Sequence, residues 1–366
     1  MDKFWARFDS WVQAGPFRSQ DLAIYRIIYA LLALATMPTF SPLTRYPSSL
    51  YKPPPGPFEL FDGFPSKPVL IAMELLLAVA LSSLLMGFFT RVSSLATSIL
   101  YMVGYGFNYS LGKIDHTILL AVAPAVLAFS GWGSRYSVDS LLGRARQRPE
   151  PQWQMRVLGM CIGVAFATAA TQKLVSGWLS LSSQAVLGQF YTKYLTEDKH
   201  SVLASVASHV HAAAPWELLD WVTVILEFSS IVAILWWRAF RGVLANLALF
   251  HVGVLLVLNI KFATDVIVYG SFVTWAPALA RLPGVTLSPQ RTEHRVNPAL
   301  VYPGAVAAIL AIAAGFWSIA RYAPTFGQQT ELVIILAGGV GAVCYGVTQF
   351  SALRERPRRA RPAHAA

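Results

Sequence analysis

Apolar runs recur ten times along the chain, at positions 22–40, 69–88, 92–110, 117–132, 155–172, 217–236, 243–260, 262–280, 300–320 and 332–350. Most reach the ~17–25 residues that a helix needs to cross a hydrocarbon core, and they recur too often for buried helices of a soluble domain. The pattern predicts an all-α protein, a polytopic transmembrane helical bundle of about ten spans, with eight as the lower count and no large soluble domain. The fourth run is short, and almost nothing joins the seventh to the eighth. Those are the places where a tilted or re-entrant helix is the alternative to a clean span.

Four stretches fall outside the runs. Phe4, Trp5, Phe8, Trp11 and Val12 recur at helical spacing beside Lys3 and Arg7, which predicts an amphipathic helix within residues 1–20. Such a helix lies in the membrane interface or packs over the bundle. Between positions 41 and 68 eight prolines keep the chain extended. The segment 178–215 mixes apolar and polar residues at helical spacing, as short interfacial helices would. The tail, 352–366, is basic, is expected to be disordered, and suits anionic headgroups. The first apolar run follows some twenty polar and amphipathic residues with no small-residue cleavage site after it, so a retained helix is expected rather than a signal peptide.

Composition sharpens this picture. The chain is 55% hydrophobic and only 13% charged, against about 25% charged in soluble domains. Eleven Trp, fourteen Tyr and twenty-one Phe are enough for aromatic belts at both interfaces. The net charge of +11 does not point to nucleic acid, because the arginines sit in short connections and the tail. With the N-terminus cytoplasmic, basic residues on that side outnumber those opposite by about two to one, which predicts both termini inside. Cys161 and Cys344 lie in separate apolar runs and suggest neither a disulfide framework nor a redox motif. His209 and His211 stand two apart with no third ligand nearby, so no metal site is expected.

Ionisable residues at membrane depth carry the candidate chemistry, since each costs a few kcal/mol unless paired. Arg26, Glu74, Glu227 and His251 fall inside runs, while Lys113, Asp115, His116, Lys173, Lys261 and Asp265 gather at ends assigned to one outer side. A lysine kept in an apolar pocket loses charge stabilisation and becomes able to act as a general base near neutral pH. Lys173, closing Thr171-Gln172-Lys173 with Trp178 five residues on, is the candidate; a lysine snorkelling to headgroups is the alternative. His116, after Asp115, could orient such a lysine or simply bond at a helix N-terminus, where the dipole favours Asp115. For His251 a structural bridge is expected, with Glu227, in the middle of the sixth run, as the candidate partner.

These residues also carry a resemblance. Tyr25-Arg26-Ile27, Asp115-His116-Thr117, Tyr136-Ser137-Val138-Asp139, Ala169-Ala170-Thr171-Gln172-Lys173-Leu174 with Trp178, and Phe250-His251 resemble stretches of the HTTM (horizontally transferred transmembrane) domain, the membrane unit of vitamin K-dependent γ-carboxylases. Gly87-Phe88-Phe89-Thr90-Arg91 resembles a turn that those proteins share with DoxX-type membrane proteins. The resemblance implies an HTTM-like domain over 21–281, two further transmembrane helices within 282–351, and the basic tail 352–366. It implies Lys173 as the base that deprotonates a reduced, vitamin K hydroquinone-like quinone, with His116 in support. His251, Glu227, Arg26, Asp115 and Trp178 become supporting or ligand-binding residues. Two departures stand out: Gln172 replaces the first lysine of the family pair, and the large β-rich extramembrane region of the carboxylases has no counterpart.

Two classes of function follow. One is a γ-carboxylase-like lyase or quinol-linked oxidoreductase in a bacterial inner membrane, taking a small apolar substrate and no metal, with a protein substrate left open. The other is a non-enzymatic transporter or assembly factor in which Arg26, Glu227 and His251 form a polar brace or pathway among membrane lipids.

Overall fold

A computed structural model describes residues 2–112, 114–145, 152–281, 283 and 297–355. Among the described residues there is no strand, only an isolated parallel bridge between Lys52 and Leu111. In chain order the helices begin with α1 (Asp2–Gln13), α2 (Ser19–Ala35), α3 (Lys67–Met86), α4 (Thr90–Tyr109), α5 (Ile118–Leu127) and α6 (Val138–Leu141). The middle of the chain forms α7 (Trp153–Val175), α8 (Ala185–Tyr191), α9 (Ala204–Ala207), α10 (Ala213–Ala233) and α11 (Trp237–Leu258). Last come α12 (Ala263–Tyr269), α13 (Trp275–Leu279), α14 (Pro298–Tyr322) and α15 (Pro324–Glu355). The protein is all-α, and residues 356–366 of the basic tail, like Lys113, lie outside the described residues.

Among the described residues, five helices are long and apolar enough to cross a membrane: α3, α7, α11, α14 and α15 as far as Ser351. Their outward faces carry large apolar side chains, Leu300, Val306 and Leu310 on α14 and Val333, Leu336, Val340 and Val347 on α15. Water would penalise such faces and lipid does not. The fourth predicted run is helical for only ten residues, with Pro124 inside α5 and a Ser130-capped turn after it. The eighth is not a single helix: Asn259 turns left-handed at φ 52° before it, and a 3-10 turn at Gly270–Phe272 separates α12 from α13. Both interruptions leave main-chain groups that need other partners, so neither stretch forms one uninterrupted span.

The chain divides into two compact units, residues 1–161 with 267–331 and residues 162–266 with 332–366. In the first unit, α3 packs on α2, α4 and α14, and α4 on α5. Its centre is aromatic: Tyr25, Tyr29 and Trp132 cluster with ring centroids 6.0–6.4 Å apart, and Tyr101 and Tyr105 stack at 5.5 Å. Lipid tails are as apolar as a leucine core, so close packing and internal hydrogen bonds must select these contacts. The bonds are present. Tyr29 Oη donates to the Leu120 carbonyl at 2.6 Å and Ser98 Oγ to that of Ala121 at 2.6 Å. Glu74, fully buried on α3, accepts from the backbone N–H of Phe40 and Ser41, both at 2.6 Å, with Arg321 at 3.7 Å.

In the second unit, α8, α9, α10 and α11 enclose a cluster of Phe190, Ala204, Trp216 and Leu258. The segment expected to form short interfacial helices is held down here. Asp220 of α10 accepts from the N–H groups of Ala185 and Val186 at 3.0 and 2.8 Å, which caps α8, and Ser201 donates to the Val257 carbonyl at 2.7 Å.

Candidate functional site

Close approach of α7 and α10 comes first. A Cβ on Gly163 would sit 3.0 Å from the Cα of Ile231, so only glycine fits where the two helices meet. Near its C-terminus α7 carries Lys173, and α10 carries Glu227 on the facing side. Lys173 Nζ lies 2.5 and 2.6 Å from the two Glu227 oxygens. The lysine side chain is 20% exposed and the glutamate 8%. Two short charge-assisted bonds to one carboxylate fix the amine in direction as well as distance.

The sequence then bends back over the pair. Gly177 takes φ 80°, a left-handed value that a side chain would strain, and the Trp178 N–H bonds to the Lys173 carbonyl at 3.0 Å. This helix-ending turn sets the Trp178 ring 5.3 Å from Lys173 Nζ, within cation–π reach. The five-residue spacing between lysine and tryptophan is thus the length of a helix cap. The result is an ammonium–carboxylate pair walled by one aromatic face and partly open.

His251, on α11, is buried with its Nε2 3.9 Å from Asp265 Oδ2, and Asp265 is buried in the first turn of α12. Phe262 stacks on the imidazole at 4.5 Å, and Phe166 lies at 6.4 Å. The expected bridge from His251 to Glu227 is therefore corrected: Glu227 turns both oxygens to Lys173, and the carboxylate beside His251 is Asp265. Asp265 stood among the outer polar residues in the sequence but not among the site residues. The signal that could have promoted it was an acid at the start of the next apolar run, closer in sequence to His251 than Glu227 is.

The remaining candidates lie in the first unit. Asp115 Oδ1 accepts from the Thr117 N–H at 2.9 Å and hydroxyl at 2.6 Å, and Tyr109 Oη meets the same hydroxyl at 2.6 Å. His116 is half-buried in the turn before α5, its carbonyl accepting from the Leu119 N–H at 3.3 Å. Lys173 and His116 belong to different units, and the partner in contact with Lys173 is Glu227.

Arg26 is fully buried on α2. Its Nη2 donates to the Tyr136 carbonyl at 2.6 Å, and the countercharge acting on it is Asp139. Asp139 ties down the turn between α3 and α4: it accepts from the N–H of Phe89 at 3.0 Å, and from the N–H and hydroxyl of Thr90 at 2.7 and 2.8 Å. Its own N–H donates to the Gly87 carbonyl at 3.0 Å. Gly87 has φ 64°, and a Cβ there would lie 2.0 Å from Arg26 Nη1. Three of the stretches singled out in the sequence, around Arg26, Gly87–Arg91 and Tyr136–Asp139, thus form one backbone-anchored knot.

A model of the HTTM domain matches residues 15–270, about 70% of the chain. No curated protein and no solved structure matches it.

Proposed function

The chain belongs to the HTTM-domain family and is an integral membrane protein, and we propose that it is a membrane enzyme whose Lys173–Glu227 pair takes a proton from a weakly acidic hydroxyl of an apolar, quinol-like substrate. The single observation that supports this most is the contact of both Glu227 oxygens with one amine, under the Trp178 ring. Across 2.5 Å a proton moves from ammonium to carboxylate with almost no motion of heavy atoms, and the move cancels both charges. Apolar surroundings penalise charges far more than neutral dipoles, so they favour the shift. The neutral amine then accepts a proton from a hydroxyl laid against Trp178. Lys173 returns to ammonium, and the transferred proton remains on Glu227. The ledger closes: the pair gains one proton and the substrate loses one.

A reduced quinone would supply that hydroxyl and, once deprotonated, reactivity toward oxygen. The residues present fit such a group: a flat aromatic wall, a largely buried amine, and a carboxylate to hold the displaced proton. The family resemblance and the excess of basic residues on one side support both termini facing the cytoplasm of a bacterial inner membrane, with the pair toward the outer leaflet. Membrane lipids and the small apolar substrate are the proposed partners.

The test uses purified full-length protein in lipid nanodiscs and a naphthol whose deprotonated absorption band is resolved from its neutral one. Wild type should raise the deprotonated band and support quinol-dependent turnover. Lys173→Ala should lose the band and cut turnover roughly 10²–10⁴-fold, the range for a lost general base. A variant folded by its melting curve yet showing an unchanged band and full turnover would end the proposal.

A further inference from the structure

A second feature of the second unit lies away from the Lys173 pair. Helices α11 and α15 line an open groove of about 430 Å³, bounded by Ala239, Gly242, Ala245 and Leu249 on one side and Ala342 and Gly346 on the other. Small residues between helices ordinarily mean close packing. Part of α15 does pack that way: a Cβ on Gly338 or Gly339 would strike the side chains of Val266 or Val252 at 2.4 and 2.7 Å. Two turns on, Gly346 has nothing within 4 Å, and neither does Gly242 opposite. The helices part there, and the absent side chains leave the groove vacant.

Its mouth is cationic and already arranged. The exposed Arg238 donates from Nη2 to Gln349 Oε1 at 2.9 Å, and Tyr345 Oη donates to the Arg238 carbonyl at 3.4 Å. Arg241, one turn along α11, places its guanidinium 5.1 Å from the Tyr345 ring centroid. Gln349 is neutral, so the contact orients Arg238 without cancelling its charge, and no carboxylate among the described residues pairs with Arg238. Trp236 and Trp237 open α11 beside these arginines, and Trp236 is 62% exposed. Tryptophans at a helix start mark headgroup depth. Charge and depth together name the occupant.

We infer that the α11–α15 groove binds one anionic phospholipid, its phosphodiester held by Arg238 and Arg241 and one acyl chain lying along Gly242, Ala245 and Gly346. Guanidinium forks match phosphate oxygens, and the flat run of small residues accommodates a methylene chain without displacing packed side chains. This site is independent of any chemistry at Lys173.

Native mass spectrometry of the full chain, released from nanodiscs containing equal amounts of phosphatidylglycerol and phosphatidylcholine with matched acyl chains, tests the inference. Wild type should retain one phosphatidylglycerol in preference to phosphatidylcholine. The Arg238→Gln/Arg241→Gln variant should weaken that retention roughly thirtyfold, about fivefold for each basic residue at an anionic surface. Gly346→Leu, which keeps both charges but fills the groove, should also lose it. Equal retention of the two lipids, wild-type retention by either variant, or equal competition by glycerol phosphate lacking acyl chains would overturn the assignment. The charge variants alter the exposed mouth, so they remain informative if Gly346→Leu fails to fold.

Discussion

Arg26 in the first unit and Lys173 in the second are both basic side chains on apolar helices, and the chain neutralises them in opposite ways. Arg26 is wholly buried, bonded to a main-chain carbonyl, and countered by a carboxylate whose own bonds run to backbone N–H groups. Lys173 is partly open, and both of its short bonds go to one side chain. A charge anchored to backbone cannot change state unless the turn that holds it comes apart. A pair built from two side chains and an aromatic wall can exchange a proton while the helices stay where they are. The first arrangement suits a brace. The second suits the proposed chemistry, and a brace built from Arg26 is compatible with the proposed reactive centre at Lys173 because different residues make them.

The largest effect should fall on the knot. Asp139→Ala strips three hydrogen bonds from the α3–α4 turn and leaves the Arg26 guanidinium without its countercharge. Hydrogen bonds to a charged group contribute about 1.5–3 kcal/mol each, so the loss should reach a few kcal/mol. Thermal melting in detergent should show that loss as a large fall in midpoint. An unchanged midpoint would remove the contrast, because Asp139 would then hold nothing together.

A smaller change in stability, with a complete change in function, should come from the pair. Lys173→Met/Glu227→Met replaces both charges with apolar side chains of similar length. Such replacement of a buried ion pair leaves stability within about 1 kcal/mol of the starting value or raises it. Lys173→Met alone strands a nearly buried carboxylate and should melt below the double variant. The full cycle of melts checks the coupling, and naphthol deprotonation should be absent from all three variants. A double variant less stable than Asp139→Ala would make the pair the more structural of the two clusters.

The fold was legible where lipid dictates the pattern. Runs of transmembrane length reappear as α3, α7, α11, α14 and α15, because a spanning helix must satisfy its backbone within itself. Legibility failed where backbone leaves the helix. Asn259 in a left-handed conformation ends the seventh run and the 3-10 turn at Gly270 divides the eighth, yet both residues lie in sequence that reads as apolar. At the site, Lys173 and Glu227 each stood out as ionisable residues at membrane depth. Their union could not be read, since 54 positions separate them and no periodicity links one helix to a partner so distant. The same gap misdirected His251 toward Glu227, when the carboxylate that folds beside it is Asp265. The distance from Lys173 to Trp178 was visible as spacing, and its cause, a cap at Gly177, needed backbone angles.

A solvated ion cluster in the second unit sets the lower end of the comparison. Glu197 accepts from Lys193 and, at 2.7 Å, is paired with Lys199, on an exposed turn after α8. Hydrogen bonds from Lys193 first, and then from Lys199, hold its carboxyl near a pKa of about 2, below the ordinary 4.5. A carboxylate depressed in the folded state stabilises fully above the unfolded value and loses that contribution as pH falls through the folded one. The Glu197 contribution should therefore be complete above pH 4.5 and fade toward pH 2. Water and salt screen exposed charges, so the difference in melting between wild type and Glu197→Gln should be small at pH 7 and vanish in about 1 M salt, where the Debye length falls to about 3 Å. Asp139→Ala should keep most of its deficit in the same salt, because its loss is mainly of direct hydrogen bonds to the Phe89 and Thr90 turn, which salt does not screen as it does a pair of exposed charges. If the Glu197→Gln difference survived salt while the Asp139→Ala difference did not, solvent would reach the knot more readily than the surface triad, and burial would no longer separate a bracing charge from the proposed reactive pair.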